Sequence, residues 1–296
     1  MDSLDLLSKP DKHEESIMEI FQGNVRYSGP ELFDRPLYCL AFFNRSGSNL
    51  LADHLRQTPY FSGFHEELNF RGVEIRSRQW GALSFPDYIK AVMAPAEGKT
   101  YGFKASMGQL MMLERFGIPN MFKGGLRIIH IQREDLVGQA VSHLISSQSQ
   151  QWTSEQQSTA SKVEIRYDAE RLTSIIDAAH RSASGIKTYA QVFDRPRLEV
   201  SYEDVVRHPS KVLRRIAKFS GQNGSDWEAR EPKIRRQATS LNVSFRKRYI
   251  EEVREKLLSN KAPEKITFNV RMTDVELSKY QKIICKARKA IQRFQP

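Results

Sequence analysis

Residues 37–51 read L-Y-C-L-A-F-F-N-R-S-G-S-N-L-L, and the rest of the chain is organised around them. Residues 37–43 are a short apolar run rich in aromatics, the pattern of a buried strand. The run breaks at Asn44-Arg45-Ser46-Gly47-Ser48, small polar residues around one glycine, and Asn49-Leu50-Leu51-Ala52 then begins a helical pattern. A strand, a small-residue loop and a helix N-terminus together present successive backbone N–H groups to an anion. Gly47 admits close approach, Ser46 and Ser48 add hydroxyls, and Arg45 adds a planar cationic fork. An ordinary strand-to-helix turn capped by Ser48 or Asn49 has the same composition, so the loop alone does not decide between the two. With one glycine and no lysine it lacks the G-x-x-x-x-G-K-[ST] pattern. It therefore reads as an anion cradle and not as a triphosphate–magnesium site.

Working outward, a helix is predicted over residues 49–56, a loop carrying adjacent carboxylates over 63–69 (G-F-H-E-E-L-N), and a helix over 85–93. A second strand at 101–104 leads to a helix at 107–116, and a third, β-branched strand at 125–131 stops at Gln132-Arg133-Glu134-Asp135 before a helix at 136–147. Residues 146–161 are rich in Ser, Gln and Thr and read as a candidate lid. A long amphipathic helix at 169–191, a strand at 198–202 and a helix at 211–220 follow. Strands alternating with helices predict an α/β fold, a P-loop-like parallel sheet flanked by helices in a single domain. Its expected extent is residues 36–296, ending in a helical segment, after an N-terminal arm over 1–35. Ligands of such sheets sit beyond the strands' carboxyl ends, which predicts that the Ser46 loop, Lys104 and the Arg133 turn share one rim.

The chain has 296 residues, 40% of them hydrophobic, enough to bury a large core, and a formal charge of +11 that favours anionic partners. Cys39 falls in the first strand and Cys285 far from it, without metal-ligand spacing. The N-terminus lacks the basic and apolar regions of a signal peptide, and no apolar run reaches membrane-spanning length. The expectation is a cytoplasmic protein without a transmembrane segment.

With these residues in place the chain resembles the PAPS-dependent sulfotransferases, most of all the bacterial carbohydrate, trehalose sulfotransferase-like type. F-N-R-S-G-S-N-L-L is similar to the loop that cradles the 5′-phosphosulfate of 3′-phosphoadenosine 5′-phosphosulfate (PAPS) in that family. Gly63-x-x-x-Glu67 resembles the loop whose glutamate is the general base. Gly102-Phe103-Lys104 with Gln109 resembles a G-x-K…Q segment. The run from His130 through Arg133, Asp135, Gln139 and Ser142 to Gln148 and Trp152 resembles the segment whose arginine and serine take the 3′-phosphate. Tyr202-Glu203-Asp204 and Arg236-Gln237-Ala238 resemble two later signatures. Asn44, Asn49, His65, Ile186, Thr239 and Phe245 depart from the family's residues at their positions.

The resemblance implies transfer of a sulfuryl group from PAPS to a hydroxyl of a carbohydrate or glycolipid, leaving 3′-phosphoadenosine 5′-phosphate (PAP), with no metal. It implies Glu67 as general base, with His65 or Glu66 as alternatives, and Arg45 and Lys104 at the leaving phosphate. Cofactor contacts would come from Arg45, Ser46, Gly47, Ser48, Asn49, Arg133, Ser142, Arg236 and Gln237, and substrate contacts from His65, Glu66, Gln109 and Trp152. The basic charge also suits contact with a membrane surface, and a homodimer conflicts with nothing in the sequence. A P-loop phosphotransferase lacks its Gly-Lys-Ser/Thr here. A nucleic-acid-binding module accounts for the charge but not for the ordered motifs, so no nucleic-acid partner is expected. A degenerate relative that binds the nucleotide without turnover satisfies the same motifs.

Overall fold

Five strands carry the fold: β1 (Leu37–Ala41), β2 (Phe61–His65), β3 (Thr100–Ala105), β4 (Leu126–Gln132) and β5 (Arg197–Ser201). They form one sheet in the order β2-β3-β1-β4-β5, and every pairing is parallel. The coordinates are a computed structural model that describes residues 9–96, 98–152, 164–233 and 239–259. All five residues of β1 are buried, as expected of a central strand covered on both faces. The period-2 alternation of a strand divides them: Leu37, Cys39 and Ala41 join one core cluster, and Tyr38 and Leu40 join the other. β4 divides the same way, Leu126 and Ile128 against Ile129 and Ile131.

Helices cover both faces. The Leu37 side holds α1 (Lys12–Ile20), α4 (Phe85–Met93) and α5 (Met107–Arg115), with α3 (Phe70–Trp80) packed on α1 and α4. The Tyr38 side holds α2 (Ser48–Arg56) together with α8 (Tyr202–Arg207) and α9 (Pro209–Phe219). A third cluster joins α6 (Leu136–Ser149), α7 (Ala169–Val192) and α10 (Ser240–Leu258) through Val141, Leu144, Leu172 and Phe245.

Two elements differ from the sequence-based expectation. Residues 61–65, read as running into a loop, are the edge strand β2, and α3 follows directly behind Asn69, whose side chain accepts from Arg71 N–H. Gly63 and Phe64 have positive φ (+81° and +55°), and the register against β3 shifts between Gly63 and His65. That bulge hides the strand's alternation. The segment read as an arm packs into the core in its described part: Ile17, Phe21 and Val25 are buried, and Glu14 pairs with Arg115 of α5.

The register aligns Ala41 with Ala105 on one side and with His130 on the other. The segments leaving β1, β3 and β4 therefore start from one edge of the sheet, as the parallel topology predicted.

Candidate functional site

The loop after β1 turns on two left-handed residues, Arg45 at φ +64° and Gly47 at φ +88°. Gly47 is required twice: by its φ, and because a Cβ there would lie 2.2 Å from a ring carbon of Tyr202. The two left-handed residues tighten the turn, in which Ser46 N–H donates to the carbonyl of Phe43 at 3.2 Å, and α2 begins at Ser48 with no side chain of its N-cap residue, Gly47, capping it. A helix N-terminus carrying partial positive charge thus opens onto the loop. Arg45 Nε donates to Ser142 Oγ at 2.9 Å, and Nη1 to the carbonyl of Trp152 at 2.6 Å. Arg133, from the end of β4, lies 5.0 Å above the Tyr202 ring, with Asp135 3.8 Å from its Nη2. Burial, and then the charge of Arg133, push the Arg45 guanidinium below its usual range. Ser46 Oγ and Arg133 Nε are buried and have no partner among the described residues. Two crowded cations and two orphaned polar atoms around a glycine-floored loop suit a polyanion.

Across the loop stands Lys104, 3% exposed at the end of β3. Its Nζ donates to Asn49 Oδ1 and, at 2.6 Å, to Glu66 Oε1, and lies 4.8 Å from the centroid of Phe42. Burial lowers its pKa, opposed by Glu66. One ammonium thus joins the cradle to the carboxylate loop. Glu67 goes the other way. It is 2% exposed, takes a hydrogen bond from Tyr101 Oη on Oε1 at 3.0 Å, and its Oε2 has no partner among the described residues. Burial raises its pKa to about 6.

The cavity above these groups measures about 1250 Å³. Arg45, Gly47, Ser48, Asn49, Glu66, Lys104, Gln109, Arg133, Ser142 and Trp152 all line it. Ser46 does not, and of the segment closing β2 neither His65 nor Glu67 does. The bulge in β2 is the reason, since one extra residue reverses which side chains face which way. Gln109 lines the cavity with its amide already engaged: Oε1 accepts from Ser106 N–H and Nε2 donates to the carbonyl of Leu68. It braces the Glu66 loop. Trp152 meets Arg45 through its carbonyl, and its ring lies edge-on to His143 at 5.7 Å. Arg236 and Gln237, and residues 153–161 of the candidate lid, lie outside the described residues.

Sequence reasoning missed His13, His54, Arg71 and Arg230, which line the cavity together with Arg246. His54 was accessible to it, because it follows Leu50 by one helical turn on the cavity face of α2. His13 arrives from α1 and accepts from Phe70 N–H at 3.2 Å, which nothing local predicts. Asp53, buried beside His54, fixes the segment bearing Arg230 by accepting from Lys233 N–H at 2.9 Å. Among the described residues no cluster of His, Cys, Asp and Glu could hold a metal, and no helix is long and apolar enough to cross a membrane.

Residues 93–252 match the family model of the Stf0 sulphotransferases. Among solved structures, the chain is similar to a sulfotransferase from Alicyclobacillus acidocaldarius (17% identity, 75% of this chain and 95% of that one, TM-score 0.43). It is similar also to the sulfotransferase domain of the Synechococcus PCC 7002 olefin synthase (15% identity, 76% and 98%, TM-score 0.44). A third similar structure is mouse sulfotransferase SULT7A1 complexed with PAP (12% identity, 84% and 73%, TM-score 0.41). A search of the curated proteins finds no match.

Proposed function

Since the chain belongs to the Stf0 sulphotransferase family, we propose that it moves the sulfuryl group of PAPS to a hydroxyl of a carbohydrate or glycolipid. The observation that carries this reading is the pair of arginines, Arg45 and Arg133, crowded around a glycine loop at the open N-terminus of α2, with orphaned polar atoms beside them. A nucleotide with phosphates at both ends of its ribose sets an anionic group beside each cation. The 5′-phosphosulfate suits the Arg45–Asn49 loop and the open N-terminus of α2, and the 3′-phosphate suits Arg133 near Ser142. When bound, PAPS supplies an activated sulfur with a good leaving phosphate. The chain's part is to orient it, to stabilise the charge left on that phosphate with Arg45 and Lys104, and to bring a carboxylate from the 66–67 loop to the acceptor hydroxyl. Arg45 acts as a fixed charge, since a guanidinium keeps its proton.

A polar acceptor fits the far side of the cavity, where His13, Glu66, Asn69 and Arg71 meet. The basic surface and the lack of an apolar spanning helix among the described residues are compatible with a free sugar or a headgroup at a membrane surface. A phosphotransferase reading has no support from a loop lysine or from an acidic cluster for magnesium among the described residues.

Thermal-shift measurements with PAP, PAPS and ATP–Mg²⁺ test the reading, because only a ligand of the folded state stabilises it. PAP and PAPS are expected to raise the melting temperature and ATP–Mg²⁺ to leave it in place. The reverse ordering would assign the site to phosphoryl transfer.

A further inference from the structure

We propose that the acceptor is an acidic sugar, whose anionic group is received by Arg71 and His13, with Lys12 behind them, on the cavity wall formed by α1 and α3; this assignment deepens the sulfuryl-transfer reading above and rests on it. Phe70, the first residue of α3, organises that wall. Its ring is half-buried and packs against the main core. Three basic side chains gather on it. Lys12 Nζ lies 5.6 Å from the ring centroid, the Arg71 guanidinium 5.8 Å, and the His13 ring 5.6 Å.

None of the three has an ion-pair partner among the described residues. Carboxylates of the same segments are engaged elsewhere: Glu14 by Arg115, Glu74 by Arg78, and Asp11 by the Glu14 N–H. Glu66, which shares the cavity wall, is neutralised by Lys104 at 2.6 Å. Basic groups crowded on one ring repel one another unless an anion stands among them. α3 adds to that cost, because its first turn holds Arg71 and no acidic residue, the reverse of what a helix dipole favours.

The donors left over define the ligand. Arg71 is held through its backbone, whose N–H donates to Asn69 Oδ1 at 3.2 Å, and its guanidinium has no hydrogen-bond acceptor among the described residues. Nδ1 of His13 accepts from Phe70 N–H at 3.2 Å, so the neutral ring carries its proton on Nε2. Both side chains line the cavity. A carboxylate, or a phosphate or sulfate ester, takes two parallel bonds from the guanidinium and a third from the imidazole; a neutral sugar leaves the cations uncompensated. At about 1250 Å³ the cavity exceeds the roughly 300–1,000 Å³ of a pocket for one drug-sized ligand, so a nucleotide and a sugar fit together. The anionic group is a handle and stands apart from the hydroxyl that accepts sulfur.

Calorimetric titration of the PAP-saturated protein with D-glucose, D-glucuronate and glucose 6-phosphate tests this. Saturation fills the Arg45 cradle, so that any preference for charge is read elsewhere, and the two acids separate carboxylate from phosphate as its source. Wild type is expected to bind at least one acid about tenfold or more tightly than glucose, the worth of one charge-assisted contact. Arg71→Ala is expected to bring that acid and glucose within about threefold of each other, with PAP affinity reporting that the variant is folded. Arg71→Lys should retain part of the preference, and Lys12→Ala, on the exposed start of α1, should reduce it by a smaller factor. Equal binding of acids and glucose, no binding of either acid, or a preference untouched by both alanine variants would overturn the assignment. Wild-type protein that binds no PAP would remove the sulfuryl-transfer reading itself, an outcome separate from PAP bound without a preference for acids.

Discussion

Glu67 is a carboxylate kept out of water by its own fold, and that has a consequence for stability. Its pKa stands at about 6 against 4.5 for a free glutamate, with burial the largest cause. A carboxyl whose folded pKa is raised contributes fully below the unfolded value, and its contribution is lost as pH rises through the folded one. A rise of about 1.5 pH units corresponds to about 2 kcal/mol lost between roughly pH 4.5 and pH 6.5. Urea denaturation across that range should show wild type losing about this much relative to Glu67→Gln, whose amide does not ionise. Parallel stability curves for the two proteins would show that Glu67 is solvated. The same residue marks a limit of reading side chains from position. Arg45, Lys104 and Arg133 were legible because each closes a strand and a strand's end has one rim. The facing of Glu67 was not, since it depends on left-handed φ at Gly63 and Phe64 that no alternation rule anticipates.

Among the elements, α2 does more than follow the cradle. Its Asp53 holds Arg56 and Gln57 of its own helix end and Lys233 N–H of the distant segment that carries Arg230 into the cavity. Asp53→Ala removes the acceptor for that amide and is expected to cost about 1–3 kcal/mol, mostly as local opening. Hydrogen exchange should find the Lys233 amide accelerated while β1 amides keep their protection; an unchanged Lys233 amide would show that the segment is held by other contacts. β1, β4 and the helices behind them were readable from apolar runs and punctuation. α3 was not, because Gly72 interrupts a pattern rich in arginine and only Val73 and Ser77 of the helix are buried. What identifies it afterwards is its cap, Asn69, two residues before the Arg71 amide it accepts from.

At the scale of the molecule, the N-terminal segment and the cavity belong to one structure. α1 places Ile17 at 0% exposure in the main core, and the same helix presents His13 to the cavity. Ile17→Ala is expected to cost about 2–5 kcal/mol, the range for a large-to-small change in a packed core. Chemical denaturation measures it, and a change below the low end of that range would mean that α1 is only loosely attached. The sequence reads residues 1–35 as an arm, and the docking of α1 was not visible in it, since burial of one face becomes evident only once α3 and α5 are in place. The charge of +11 was legible from composition, yet composition could not say that arginines from five separate segments, Arg45, Arg71, Arg133, Arg230 and Arg246, would line one cavity.

That convergence is the central claim, and the affinity for PAP compared with 5′-AMP tests it most directly, since the two differ only in the 3′-phosphate. By calorimetry, wild-type protein is predicted to bind PAP at least about tenfold more tightly than 5′-AMP, one charge-assisted contact's worth. Arg133→Ala should bring the two together by weakening PAP alone. Equal affinity for both nucleotides in the wild type, or a preference for PAP that survives Arg133→Ala, would contradict the account.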